Sequence, residues 1–232
     1  FNIEGNCLEQ PAEPSGSKFY RKIKIKSYPC QEINGIIFTF MGEGKAPTLP
    51  QFDCFVAPNS HSFAFKGYLE CNWLQAVEVG IDPSHASFLH RYLENHDPDY
   101  GLQFSGKSGE SDVAMTTVLR DHISPDIQVE ETKFGMRLIT TRTLNKKDIH
   151  VRVTNLVFPN LIVIPMTNDM CISQWHVPID DCHSWWYAIF TAFENKVNKQ
   201  AMREQRLELY TLPDYKPKIN KSINYGYDAE EQ

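Results

Sequence analysis

Apolar positions fall in short strand-like runs from Phe1 to about residue 45. Gly5-Asn6 reads as a hairpin-type turn, and Ile33-Asn34-Gly35-Ile36-Ile37-Phe38-Thr39-Phe40-Met41 as a turn entering a buried strand. The Pro/Gly-rich connector Gly42 to Pro50 predicts a domain boundary. Residues 60–72 form a strand-like approach to the main helical candidate, Asn72 to about Leu93, which Gly80 and Pro83 break or bend. The polar segment 95–112 predicts an exposed loop. Beyond it, Lys133 to Leu144, Ile149 to Phe158, Leu161 to Met166, Ile172 to Val177 and Ser184 to Phe193 alternate or run apolar at short spacing. Serial strands with short connections form an antiparallel meander more readily than a parallel sheet. Residues 195–209 predict a charged helical exit.

The sum is an α+β fold: a curved antiparallel sheet gripped by a long helix. Such a fold leaves a cavity between helix and sheet, suited to a small apolar ligand.

Composition narrows the function classes. A chain of 232 residues, 41% hydrophobic and 22% charged, can bury a sizeable core. The net charge of −6 argues against a nucleic-acid partner. No run of about 18 apolar residues exists, so no membrane span is expected. The six cysteines, Cys7, Cys30, Cys54, Cys71, Cys171 and Cys182, are scattered and show no C-x-x-C. They read as reduced thiols of a cytoplasmic protein. The opening at Phe1 and the close at Gln232 read as cuts in a longer chain.

One stretch carries candidate chemistry. Asp82-Pro83-Ser84-His85-Ala86-Ser87-Phe88-Leu89-His90 packs a carboxylate and two imidazoles into nine residues. Two imidazoles, a carboxylate and open positions are what non-haem iron(II) needs to activate dioxygen. On a regular helix Asp82 and His85 share a face. His85 and His90 lie about 140° apart at 100° per residue, so convergence on one ion needs a distorted helix, for which a π-type bulge would serve. The spacing alone also fits two ordinary histidines, and Asp82 alone fits a carboxylate at a helix start.

Asn72-Trp73 followed by Asp82-x-x-His85-x-x-x-x-His90 resembles the mononuclear iron motif of the Rieske non-haem iron oxygenases, large (α) subunit. The run from Cys71 to Ala76 and from Ile81 to His90 resembles the phthalate 4,5-dioxygenase branch. Phe1 to Pro14 is similar to the strand-turn after the second Rieske cluster motif, and Trp175 to Asp181 to a late strand of that branch. The resemblance implies that His85 and His90 bind Fe(2+). It implies that Asp82 is the electron-transfer bridge to the cluster of a neighbouring subunit, accepting a hydrogen bond from a ligand histidine. Residues 1–45 would be the remnant of a Rieske domain, and 46–232 a catalytic domain truncated at its C-terminus.

The family's [2Fe-2S] cluster needs two cysteines and two histidines. The C-x-H and C-x-x-H pairs are not found in these 232 residues and are expected upstream of Phe1. The third iron ligand, a carboxylate in a Gln-Asp context, is expected beyond Gln232. Asp180 and Asp181 read as turn residues, and Asp228 stands in a weak context. The implied partners are a small aromatic substrate, dioxygen and an NAD(P)H-dependent reductase, in a homotrimer. The implied reaction is ring hydroxylation or O-demethylation, by the full-length protein and not by this segment alone. Trp175, His176, His183, Trp185 and Trp186 are candidate pocket residues; Arg137, Arg142 and Arg152 lie on predicted strands, without an inward or outward assignment. Two other readings compete: a non-enzymatic helix-grip module for hydrophobic ligands, which would retain no iron, and a zinc hydrolase, which would work without dioxygen or reductant.

Overall fold

The computed structural model describes residues 1–90 and 115–227. They divide into two compact units, Phe1–Gln51 and Phe52–Gln232, just past the Gly42–Pro50 connector.

In the first unit, β1 (Cys30–Ile33) and β2 (Ile36–Thr39) form an antiparallel ribbon. Asn34 and Gly35 both take positive φ, 53° and 84°, the two-residue hairpin turn whose twist matches its strands. The ribbon is not the buried strand expected. Its outward position Ile37 stays 70% exposed, because a two-stranded ribbon offers its pleat no facing layer within this unit.

The second unit is a seven-stranded antiparallel sheet, ordered β3-β9-β8-β7-β6-β5-β4. Its strands are β3 (Ser62–Leu69), β4 (Asp126–Thr132), β5 (Gly135–Thr143), β6 (Ile149–Val157), β7 (Leu161–Pro165), β8 (Met170–Pro178) and β9 (Ser184–Ala192). The meander expected from the sequence runs from β4 to β9, and β3 closes onto β9. Among the described residues the unit also has helices α1 (Asp53–Val56), α2 (Trp73–Ile81), α3 (Ala86–Leu89), α4 (Met115–Asp121) and α5 (Lys199–Leu209), and a short ribbon, β10 (Tyr210–Thr211) and β11 (Lys216–Pro217). The α+β class holds. The break expected near Gly80 and Pro83 is present: α2 stops at Ile81, and α3 is a separate single turn. Residues 91–93 and the 95–112 loop expectation lie outside the described residues.

The strand registers define the inner face. Leu156 faces Ile162, Ile164 faces Ile172, Ile172 faces Phe190, and Phe63 faces Phe190. Side chains two apart point the same way, so these share one side of the sheet. Against it, Val77 of α2 packs on Leu156 and Ile162, with Trp73 and Ile81 beside it. Met202 of α5 packs on Phe63, Ile172, Ala188 and Phe190. Gly80 sets how closely α2 approaches: a Cβ there would stand 2.7 Å from Ile162 Cδ1 and 3.2 Å from Gln174 Nε2.

The same registers bring a polar stripe onto this face. Thr140 faces Arg152, Arg142 faces His150, Gln174 faces Ala188 and His176 faces Trp186. On β5 and β6 the inner face therefore turns from apolar at Met136, Leu138 and Leu156 to polar at Thr140, Arg142, Arg152 and His150. On β6 the apolar residues Ile149 and Val151 point outward and are mostly exposed.

Candidate metal centre

Local sequence explains how the histidine segment is built. The Asn72 side chain caps α2 by accepting from Leu74 N–H at 2.9 Å. Its amide also donates to Asp181 O at 3.0 Å, fastening the helix start to the β8–β9 turn. Pro83 then disfavours the helical conformation at Asp82, whose ψ of 117° is extended. The Asp82 carboxylate restarts the helix, accepting Ser84 N–H at 2.8 Å and His85 N–H at 3.0 Å. His85 lies at the N-cap of α3 and His90 at its C-cap, where φ −119° and ψ 9° leave the helix. Thus a break and a one-turn helix, not a π-type bulge, reconcile the five-residue spacing.

The two imidazoles meet edge to face, with ring centroids 5.2 Å apart and planes at 78°. Two imidazoles bound through nitrogen to one cation at about 2.1 Å have centroids about 4.5–5.5 Å apart, for angles between right and tetrahedral. The pair fits a shared metal ion on that measure. The His85 Nδ1–H donates to the Asp82 backbone carbonyl at 2.6 Å. A carbonyl only accepts, so this contact fixes the tautomer and leaves Nε2 as a lone-pair donor. The Asp82 carboxylate lies 3.9 Å from Nδ1. It holds the backbone of the turn, and its carbonyl, rather than its carboxylate, orients the ring. His90 keeps an exposed edge; desolvation first, then His85 and Arg152, lower its pKa and favour the neutral imidazole that a metal requires. Among the described residues no third His, Cys, Asp or Glu joins the pair.

Arg142 of β5 holds this segment from below. Its side chain is 2% exposed. Nε donates to His122 O at 2.9 Å, and Nη2 to Pro83 O at 3.1 Å and Ser87 Oγ at 3.3 Å. One guanidinium thereby ties the residues flanking His85 to the sheet and to the end of α4.

The other candidates separate by face. His176 and Trp186 lie on the inner face, where Trp186 Nε1–H donates to Gln174 Oε1 at 3.0 Å. Trp175 stacks on Phe55 on the outer face, centroids 5.8 Å apart. Trp185 faces outward under Lys66. His183 Nδ1 pairs with the Asp180 carboxylate at 2.9 Å in the β8–β9 turn, where Asp180 also accepts Cys182 N–H. Arg137 faces outward, bonded to Asn155 and beside Glu130. Asp228 lies outside the described residues. His150, Gln174 and the Arg142 tether were not singled out from sequence; the signal was the reversed alternation of residues 149–154, polar at every inward position.

His176 is 5% exposed, and neither ring nitrogen has a partner among the described residues. Burial pushes its pKa down to about 4. The unfolded chain binds a proton near pH 6.5 and the fold does not. Stability from this position is therefore full above about pH 6.5 and is lost as pH falls toward 4, by on the order of 3 kcal/mol. His176→Leu is expected to be less acid-sensitive than the parent in urea unfolding at pH 7 and pH 4.5. Equal losses in both proteins would contradict this origin.

Residues 39–222 match the family described as LigXa C-terminal domain like. The chain is 31% identical over 244 residues to the phthalate 4,5-dioxygenase oxygenase subunit of Pseudomonas putida, covering 99% of this chain and 52% of that protein. It is 29% identical over 194 residues to the oxygenase subunit of tert-butanol monooxygenase / tert-amyl alcohol desaturase of Aquincola tertiaricarbonis, covering 79% and 40%. The chain spans about half the length of these curated relatives. Among solved structures, the terminal oxygenase of carbazole 1,9a-dioxygenase from Nocardioides aromaticivorans IC177 shares the fold, with a TM-score of 0.52 at 16% identity over 88% of this chain and 59% of that one. Among the described residues no helix is long and apolar enough to cross a membrane. With the family match spanning most of the sheet and the histidine segment, the chain belongs to the LigXa C-terminal domain-like family of Rieske non-haem iron oxygenase α subunits.

Proposed function

We propose that this chain is the catalytic part of an oxygenase component that oxidises a small aromatic compound with dioxygen, His85 and His90 holding a mononuclear iron(II). The observation that carries the reading is the edge-to-face imidazole pair, with His85 Nε2 freed for a metal by the Nδ1–H bond to Asp82 O. Bound there, iron would supply dioxygen activation, which needs electrons from outside the chain. A carboxylate would complete the iron's ligand set, and a [2Fe-2S] cluster fed by an NAD(P)H-dependent reductase would be the electron source.

The chain's own residues do the positioning. Asp82 fixes the His85 tautomer through its carbonyl and sets the turn through its carboxylate. That carboxylate is 44% exposed, so an incoming donor group from a neighbouring subunit can reach it; a subunit-to-subunit electron path in a homotrimer would enter here. Arg142 keeps the turn seated on the sheet. Gln174 and His176 lie on the inner face directly beneath α2, and Gly80 permits that close approach.

The test is metal analysis joined to turnover. The intact protein, purified without added chelator, is expected to hold iron in proportion to chain, and to consume dioxygen only with a reductant and a substrate. Zinc in place of iron, with activity that persists without dioxygen, would establish hydrolytic chemistry instead.

A further inference from the structure

We propose that Gly80 is a positioning residue of the iron centre: its missing side chain lets the last turn of α2 sit low enough on the sheet for the Asp82 carbonyl to reach the His85 ring. The proposal rests on reading His85 and His90 as the iron ligands, and it adds a residue outside the ligand set on which their geometry depends.

Backbone conformation does not call for glycine here. Gly80 lies inside α2 and is not among the glycines with positive φ, and glycine weakens a helix interior relative to alanine. Space is what calls for it. A Cβ at this position would stand 2.7 Å from Ile162 Cδ1, 3.2 Å from Gln174 Nε2 and 3.8 Å from His176 Nε2. The first distance is roughly 0.8 Å short of ordinary contact between carbons. The groups below have little freedom to yield. Ile162 is fully buried and packs with Val77 and Leu156, in an interior that leaves its terminal methyl little room to swing aside. Gln174 Oε1 accepts the Trp186 indole N–H at 3.0 Å, which fixes the amide whose nitrogen lies under Gly80. A side chain at position 80 therefore lifts the helix.

The lift is felt at one hydrogen bond. Asp82 N–H donates to Glu78 O at 3.2 Å, so the Asp82 backbone moves with the last turn of α2. His85 is held separately. Pro83 O and Ser87 Oγ, on either side of it, accept from the buried Arg142 guanidinium of β5. The 2.6 Å bond from His85 Nδ1–H to Asp82 O joins these two independently seated pieces. Raising one against the other stretches or tilts that bond, and a hydrogen bond weakens steeply with misalignment. With it goes the constraint that fixes the tautomer and the direction of Nε2.

The experiment is a cobalt(II) titration of the metal-free intact protein, read through the visible ligand-field spectrum beside a melting curve. Cobalt(II) takes imidazole ligands as iron(II) does, and its spectrum reports their geometry, which a loss of stability alone does not shift. Gly80→Ala is expected to weaken cobalt binding about tenfold or more and to shift the spectrum, although both histidines are intact. Ile162→Val removes only Cδ1, the nearest obstacle. Alone it is expected to bind cobalt as the parent does, and in Gly80→Ala/Ile162→Val to bring affinity and spectrum back to those of the parent. Val77→Ala is the control: it thins the same cluster without raising the helix, and is expected to lower the melting temperature while leaving cobalt affinity and spectrum unchanged. Parental affinity and spectrum in Gly80→Ala overturn the proposal. So does a double variant that folds without regaining them, or a Val77→Ala protein that loses as much cobalt as Gly80→Ala. Should Gly80→Ala not fold, the double variant decides: folded with parental cobalt binding it supports the proposal, and unfolded or weakly binding it overturns it. A parent that binds neither iron nor cobalt(II) removes the metal centre and the proposal together; a parent that binds both, with Gly80→Ala unaffected, removes only the role of Gly80.

Discussion

His85→Ala is expected to empty the iron site while the protein stays folded. The imidazole contributes its Nε2 to the proposed ion and little to the scaffold. Its backbone N–H bond to the Asp82 carboxylate, which starts α3, survives the substitution. What the fold loses is one Nδ1–H bond to Asp82 O and a partly exposed ring contact, worth about 1 kcal/mol. What the metal loses is one of two histidine ligands. Removal of a mere supporting group around a metal costs about 10–100-fold in affinity, so loss of a ligand is expected to exceed that. Metal analysis after desalting, beside a urea titration, checks both halves. A variant that keeps iron in the parent proportion would show that the ring is not a ligand. Turnover should fall with iron content, since the two imidazoles offer no other chemistry at this position.

Arg142→Met is expected to damage both fold and site. The side chain is almost wholly buried and reaches three acceptors on two segments, His122 O, Pro83 O and Ser87 Oγ. Truncating it leaves those acceptors unmet beneath the histidine segment, at a cost of about 3–5 kcal/mol. For a domain of this size that corresponds to a melting temperature lower by roughly 10 °C. Arg142→Lys is not expected to rescue it: a single ammonium cannot span acceptors that the planar fork reaches from two nitrogens. Iron content should fall with stability, because Pro83 and Ser87 bracket His85. A variant with normal melting and normal iron would show that the tether is incidental. His85→Ala and Arg142→Met thus separate ligation from seating, the first losing iron alone and the second losing iron together with stability.

Much of the architecture was legible because its strands carry apolar residues at intervals a sheet can use. Residues 133–193 read as serial strands, and five of the sheet's strands lie there. β4 was missed for a physical reason. Asp126–Thr132 is an edge strand, exposed almost throughout, so no buried face imposes alternation on its sequence. The interruption of the helix was legible at Pro83, but whether it bent or fully broke was not, because Asn72–Leu89 has apolar residues on both sides of it. Only the Asp82-Pro83-Ser84 stop-and-restart chemistry divides it, and the role of Asp82 in that restart depends on hydrogen bonds that spacing does not display. The histidine pair was visible as residue types, whereas its convergence was not, because helical arithmetic assumes a continuous helix. Least legible was the inner polar stripe. In Ile149-His150-Val151-Arg152 the apolar residues look like the core face, and the structure turns them outward. The usual pattern is reversed here, and such local contradictions cluster where function is built, as the proposed iron centre beside Arg142 would have it.

The Arg142 clamp also dates the site within the life of the chain. Its partners Pro83 and Ser87 are made 59 and 55 residues before it. As the polypeptide emerges from the ribosome, the histidines appear first and lack their seat until β5 exists and has paired with β6. Closing so long a loop is entropically costly and slow relative to a single helical turn. Insertion of the proposed iron would therefore belong to the end of assembly, after the meander has formed, since a nascent chain carrying both imidazoles does not yet hold them in place.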